Sequence, residues 1–123
     1  MDTYFDLGEY SFPVTTQSTE AQKWFDRGIL WTYGYNHEEA VTCFERAIDA
    51  DPKCAMAHWG AGYASGPNYN MPWDLFDDAG RAAAARAGYT HARKALDLID
   101  GVTGWEAALI HALPARYPKP DPL

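Results

Sequence analysis

No lysine or arginine occurs among the first twenty residues, which carry Asp2, Asp6, Glu9 and Glu20. The opening MDTYFDLGEYSF therefore lacks the basic start of a secretory signal, and no apolar run follows it. Over the whole chain the formal net charge is −7 at neutral pH, which repels a phosphate backbone or an anionic membrane surface. Neither nucleic acid nor membrane is expected as a partner. No stretch approaches the roughly eighteen consecutive apolar residues of a membrane span. Cysteine is scarce as well. Cys43 and Cys54 stand alone in a chain without a secretory signal, the setting in which thiols stay reduced, and this predicts a cytoplasmic protein. Also missing are CxxC and HExxH, a phosphate loop, a Ser-His-Asp order and a paired-acid motif.

What the chain does have is apolar area. Hydrophobic residues make up 47% of the 123 positions and aromatics 15%, with five Trp and eight Tyr. That is enough for one domain with a real core. Residues 1–18 show no helical period but contain Gly8, Pro13, a Thr-Thr-Gln-Ser run and the aromatics Tyr4, Phe5, Tyr10 and Phe12. They read as an extended arm packed on the domain by those rings.

From Thr19 the pattern becomes helical. Thr19 with Gln22 makes a capping box, Trp24, Gly28, Trp31 and Tyr35 recur at steps of three or four, and Gly34 closes a first helix over about 20–34. In NHEEAVTCFERAIDADP, Asn36 can cap a second helix while Glu39 reaches back to the free backbone amide. Ala40, Val41, Phe44, Ala47 and Ile48 form its apolar stripe with Cys43 at the edge, Glu38, Glu45 and Asp49 face outward, and Pro52 stops it. A third helix fits 53–65, ended by Gly66-Pro67, and SGPNYNMPWD is a loop. A fourth helix with an alanine-rich middle fits about 75–99, and a Thr103/Glu106 capping box opens a fifth that runs to about 113. Residues 114–123 are rich in proline and read as a linker or disordered tail. The expected class is all-α, with about five helices in short antiparallel pairs.

Counted from Ala21 as position one, Trp24, Gly28, Trp31, Ala40, Phe44, Ala47 and Pro52 fall at positions four, eight, eleven, twenty, twenty-four, twenty-seven and thirty-two. This resembles the tetratricopeptide repeat (TPR), a helix-turn-helix unit of about 34 residues. Arg27 departs from it by standing where leucine is usual, its stem packing while its head snorkels outward. A second unit opens at Ala55 with Gly62 at position eight, and His58, beside Trp59, stands where tryptophan is expected. Its second half, Gly88, Ala92 and Ala95, returns only after an insertion containing the GPNYN loop, and GWEAALIHAL opens a third unit. The words FDRGILWTYGYNHEEAVTCFERA, DPKCAMAHWG and GPNYN are similar to the N-terminal part of larger bacterial and fungal TPR-repeat proteins of mostly unassigned role. The resemblance implies a helix-hairpin solenoid segment: 19–52 as repeat one, 53–100 as repeat two with an insertion, and 103–113 as the start of a third. About three repeats are needed for a stable stack, so the fifth helix should keep an apolar face for further repeats, a second chain or the arm to cover.

The same resemblance implies a groove lined by the first helix of each pair. The carboxylate clamp of chaperone-binding members is missing, since its positions hold Phe25, Ile29, Trp59 and Tyr63. With Gln22, Tyr33 and Met56 the groove is aromatic and nearly uncharged, suited to an apolar or aromatic ligand, a hydrophobic helix, or the chain's own arm. Burial of these rings by neighbouring helices is the plain alternative. The loop residues Asn68, Tyr69 and Asn70 carry amides and a phenol that could touch a ligand, although turn formation explains the segment equally.

His37, His58, Cys43 and Cys54 raise zinc or copper, and Cys54 with His58 at i and i+4 would make a half-site. The spacing argues against this, leaving His37 as a first-turn polar residue and Cys43 as a small hydrophobe. His91 and His111 have no acid or thiol beside them. The expected function is a protein-interaction or scaffold module with no cofactor. Its partners would be a protein or peptide, further repeats, or a second copy. The alternative is a small-molecule- or metal-binding enzyme using His37, His58 and the GPNYN loop.

Overall fold

The structure is a computed structural model that describes residues 11–66 and 77–117. Every regular element among the described residues is helical. Five α-helices follow in order: α1 (Thr19–Tyr33), α2 (His37–Ala50), α3 (Ala55–Ser65), α4 (Asp78–Asp97) and α5 (Gly104–Ala112). Single 3-10 turns occupy Ile99–Gly101 and Leu113–Arg116. The class is all-α with the expected number of helices.

The caps differ in detail from expectation. The cap of α1 is Ser18, whose Oγ accepts from the Ala21 amide at 3.0 Å, and not Thr19. Gln22 is thereby released from capping and points to the arm. Gly34 does close α1, but with φ −80°, and the left-handed residue of the turn is Tyr35 at φ 62°. Asn36 caps α2 as expected, accepting from Glu39 N at 3.2 Å. Asp77 caps α4 through Gly80 N at 2.6 Å.

Helices adjacent in the chain pack on one another: α1 on α2, α2 on α3, α3 on α4, with α1 also reaching α3. The connections 34–36 and 51–54 are short, so each packed neighbour runs back along the one before it. On α2 the buried stripe is Ala40, Cys43, Phe44 and Ala47, a helical period of three and four. Cys43 is thus in the core and not at its edge. The middle helix α3 is buried nearly all round, from Ala55 to Ala64, because α2 and α4 flank it. Its AMAHWGAGYAS sequence, rich in alanine and glycine, lets both neighbours come close.

Phe44 shows how close. A Cβ on Gly28 would lie 2.6 Å from the Phe44 ring, and one on Gly60 would overlap the same ring. The ring therefore fills space that α1 and α3 both leave by having glycine there, and it meets Phe25 at 5.5 Å between centroids. The packing of α3 on α4 also turns on a glycine. Gly62 faces α4 at Ala92, whose amide would lie 3.5 Å from an added Cβ. Alanine at this place fills far less space than phenylalanine, and the remainder is taken by Leu113 and Tyr117, which cluster with Ala92.

This corrects the expectation of a linker from residue 114 onward. Residues 114–117 belong to the fold: Tyr117 is buried, and its hydroxyl donates to the Gly62 carbonyl at 2.9 Å. Side chains at Gly66 or Gly88 would overlap the Tyr117 ring. Residues 118–123, the arm before residue 11 and the loop 67–76 lie outside the described residues.

Candidate functional site

The face of α1 expected to bind a partner is already in use. Phe25 is core, and so is Met56 on α3, which removes both from any surface. Ile29 is half-buried against the same core. Tyr33 stays exposed but meets the arm, its ring 6.2 Å from that of Phe12. Residues 11–16 lie along α1 and are held by its polar side chains. Gln22 Nε2 donates to the Phe12 carbonyl at 2.7 Å, Gln22 Oε1 accepts from Val14 N at 3.0 Å, and Asp26 Oδ1 accepts from Phe12 N at 2.8 Å.

The far end of this segment is gripped by Glu106 of α5. Its two carboxylate oxygens accept from Thr15 N at 2.9 Å, Thr15 Oγ1 at 2.6 Å and the Thr103 amide and hydroxyl at 3.0 and 2.8 Å. Burial raises a carboxyl's pKa, but these donors outweigh it, so the Glu106 carboxyl lies below the usual glutamate value. The sequence marked Glu106 only as a helix cap. Nothing local announces its second role, because Thr15 lies 91 positions away.

The α3 half of the expected face remains partly open, and α5 extends it. Trp59 stacks on Tyr63 at 5.2 Å and 23°, and its Nε1 donates to the Leu109 carbonyl at 3.2 Å. Leu109 in turn stands one helical turn from Trp105. Tyr63 is 40% exposed, Leu109 38% and Trp105 49%. The Arg116 guanidinium lies 4.9 Å from the Tyr63 ring centroid, at one end of the row. Contacts thus link Tyr63, Trp59 and Leu109, and Trp105 extends the row by one turn of α5. Trp105 and Leu109 were legible as the apolar face of a fifth helix, though sequence alone could not set them beside Trp59.

The metal candidates do not converge. His37 opens α2, whereas His58 binds the Pro52 carbonyl beyond the other end of that helix, with Nε2 at 2.9 Å. Fourteen residues of helix separate these ends, about 20 Å at 1.5 Å per residue. Cys54 is buried as the cap of α3, and burial pushes its thiol pKa up, away from the thiolate a metal would need. Among the described residues no three His, Cys, Asp or Glu side chains gather into a possible metal site. His58 meets His91 of α4 instead, the ring centroids 6.0 Å apart. Burial lowers the pKa of both, and His58 Nδ1 is buried with no hydrogen-bond partner among the described residues. Asn68 and Asn70 lie outside the described residues.

A separate cleft of about 760 Å³ opens between the start of α2, the end of α3 and α4. Its floor is small and apolar, with Ala64, Ala84 and Ala87, and its wall carries His37, Glu38 and Glu45. Among the described residues no Lys or Arg lines it, so the charges they supply favour a cationic group over an anion.

No family model matches the chain, and no curated protein or solved structure does so either. No helix among the described residues is long and apolar enough to cross a membrane.

Proposed function

We propose that the chain is a TPR-like protein-interaction module that recognises an apolar or aromatic segment of a protein partner. The observation that carries this reading is the row Tyr63, Trp59, Leu109 and Trp105, linked by contact as far as Leu109 and extended by one turn of α5, in which three large side chains are exposed. Tyr and Trp are the residues that most often anchor interfaces, since each buries a large rigid area with little loss of conformational freedom. Support for the TPR-like architecture comes from Gly28 and Gly62, which stand at the same repeat position: the Phe44 ring fills the space over Gly28, and the Ala92 backbone would meet a Cβ on Gly62 at an ordinary contact distance of 3.5 Å. A reducing, cytoplasmic setting belongs to the same proposal and is supported by Cys43 and Cys54, both buried as thiols.

The recognition surface differs from the one read off the sequence. Phe25 and Met56 give way to Leu109 and Trp105, while Trp59 and Tyr63 stay. The enzyme alternative loses His58, which lies at the opposite end of α2 from His37, and rests on His37, the cleft and the GPNYN loop, most of which lies outside the described residues, so we place it second.

The test is selection of peptides from a random library on the full chain, followed by fluorescence polarisation. Aromatic-rich binders with dissociation constants in the micromolar range are expected, and Trp105→Ala or Tyr63→Ala should weaken them by about tenfold or more, as loss of an interface anchor does. Circular dichroism should be unchanged, since both side chains are substantially exposed. Binders indifferent to both substitutions would overturn the assignment of this surface.

A further inference from the structure

Residues 11–18 alternate strictly in exposure. Ser11, Pro13, Thr15 and Gln17 face solvent while Phe12, Val14, Thr16 and Ser18 are half-buried. This is the period of an extended segment, one side in and one side out. Phe12 and Val14 pack against the core. Nearly everything polar that holds the segment is aimed at its backbone or at a hydroxyl. Gln22 pairs its amide with the carbonyl of residue 12 and the N–H of residue 14, flanking Pro13 on both sides. Asp26 and Glu106 accept the N–H groups of residues 12 and 15. Asp51 accepts the Thr16 hydroxyl at 2.6 Å. A grip of this kind reads extended conformation, apolar residues two apart and hydroxyls after them. Thr15 is held by Glu106 through both its amide and its hydroxyl although it is largely exposed, and the grip is largely indifferent to the outward-pointing Ser11, Pro13 and Gln17. The three carboxylates supply acceptors only, so an acidic segment is disfavoured.

We propose that this face of α1 and α5 is a binding site for an extended partner segment of the same chemistry, and that residues 11–16 hold it shut as an autoinhibitory tenant. The partner segment is neutral or basic, with an apolar residue at each of two alternate positions and Thr or Ser at the two that follow. The inference rests on the reading of the chain as an interaction module but concerns a different surface from the aromatic row. Tethered directly to α1, the tenant has an effective concentration of order millimolar. A free peptide of equal quality therefore fails to enter the wild-type protein at micromolar concentration. Release of the tenant makes the site available.

The probe is a fluorescein-labelled peptide with the sequence of residues 11–17, SFPVTTQ, titrated into the full chain. Wild type should remain unsaturated up to about 1 mM. The full-length double variant Thr15→Glu, Thr16→Glu sets new carboxylates against Glu106 and Asp51, evicts the tenant and leaves the groove side chains intact. It should bind the probe at least about tenfold more tightly than wild type, and adding Gln22→Ala should abolish that gain. Should the double glutamate variant fail to fold, Thr15→Val with Thr16→Val removes both hydroxyl anchors without adding charge. Hydrogen exchange at the amides of residues 12, 14 and 15 reports directly whether the tenant has left. A variant whose arm amides exchange freely, yet which binds the probe no better than wild type, overturns the proposal. So does a gain that survives Gln22→Ala. Peptides selected for the aromatic row serve as the control: if they still bind, the interaction reading stands and only the occupied groove fails.

Discussion

Tyr117 shows how one residue can replace a missing one. At the place where Phe44 fills the gap between α1 and α3, the following hairpin has only Ala92. The chain returns thirteen helical and 3-10 positions after α5 begins and inserts the Tyr117 ring from the side, over Gly66 and Gly88. Its hydroxyl, bonded to Gly62 O, has its pKa pushed up to about 12 by burial, so it stays a neutral donor across the physiological range. Tyr117→Phe leaves the Gly62 carbonyl without this donor and should cost about 1 kcal/mol in urea denaturation. Gly88→Ala is expected to be worse, by about 1–3 kcal/mol or more, since the methyl group would occupy the ring's own space. If Gly88→Ala were neutral, Tyr117 could not be seated as described. A proline-rich sequence reads as a linker because composition reports only what a segment is unable to form by itself. The glycines that make room for Tyr117 lie at the end of α3 and within α4, beyond the reach of local pattern.

The helices themselves were legible because the signals that specify them are local. The Ala40, Phe44, Ala47 stripe and the Asn36 cap belong to one turn-by-turn period, and they appear where that period puts them. The Thr19 cap was misplaced by one residue for an equally local reason: Ser18 and Thr19 both offer a hydroxyl, and the tie is settled by Gln22, which binds the arm. What no helix discloses alone is its partner across an interface, as the α3–α4 contact shows. His58 from α3 and His91 from α4 meet there. Pro52 O accepts from His58 Nε2, Lys94 on α4 opposes protonation of His58, and Asp51 favours it weakly. Both pKa values are lowered, first by burial. The unfolded chain therefore binds more protons than the folded one just below the ordinary histidine value of about 6.5. Stability is complete above that pH and declines as pH falls through it, by at most about 1.4 kcal/mol per pH unit for each histidine. The urea midpoint should accordingly drop between pH 7.5 and 5.5, and His91→Gln, which cannot take up a proton, should flatten the slope. An unchanged slope would mean that His91 titrates alike in both states.

At the scale of the whole molecule, helices packed in chain order leave an outer helix at each end, and each tends to fray because it has one neighbour where an inner helix has two. Here the first segment is tied to the last helix: residues 12 and 14 are fastened to α1, and Thr15, one residue further on, is fastened to Glu106 of α5. The same carboxylate caps α5 through Thr103, so cap and tie stand or fall together. Glu106→Gln keeps the shape and removes the charge that strengthens both, which should cost about 1.5–3 kcal/mol. Because the folded pKa of Glu106 is depressed, its contribution is present above the ordinary carboxyl value of about 4.5 and is lost as pH falls below it. The wild-type protein should therefore lose stability in that acid range more steeply than Glu106→Gln does. Hydrogen exchange separates this tie from a simple helix cap. In the glutamine variant the amides of residues 12, 14 and 15 and those of α5 should lose protection together, while α2 and α3 hold theirs. Loss confined to α5 would show that Glu106 caps the helix without joining residues 12–15 to it.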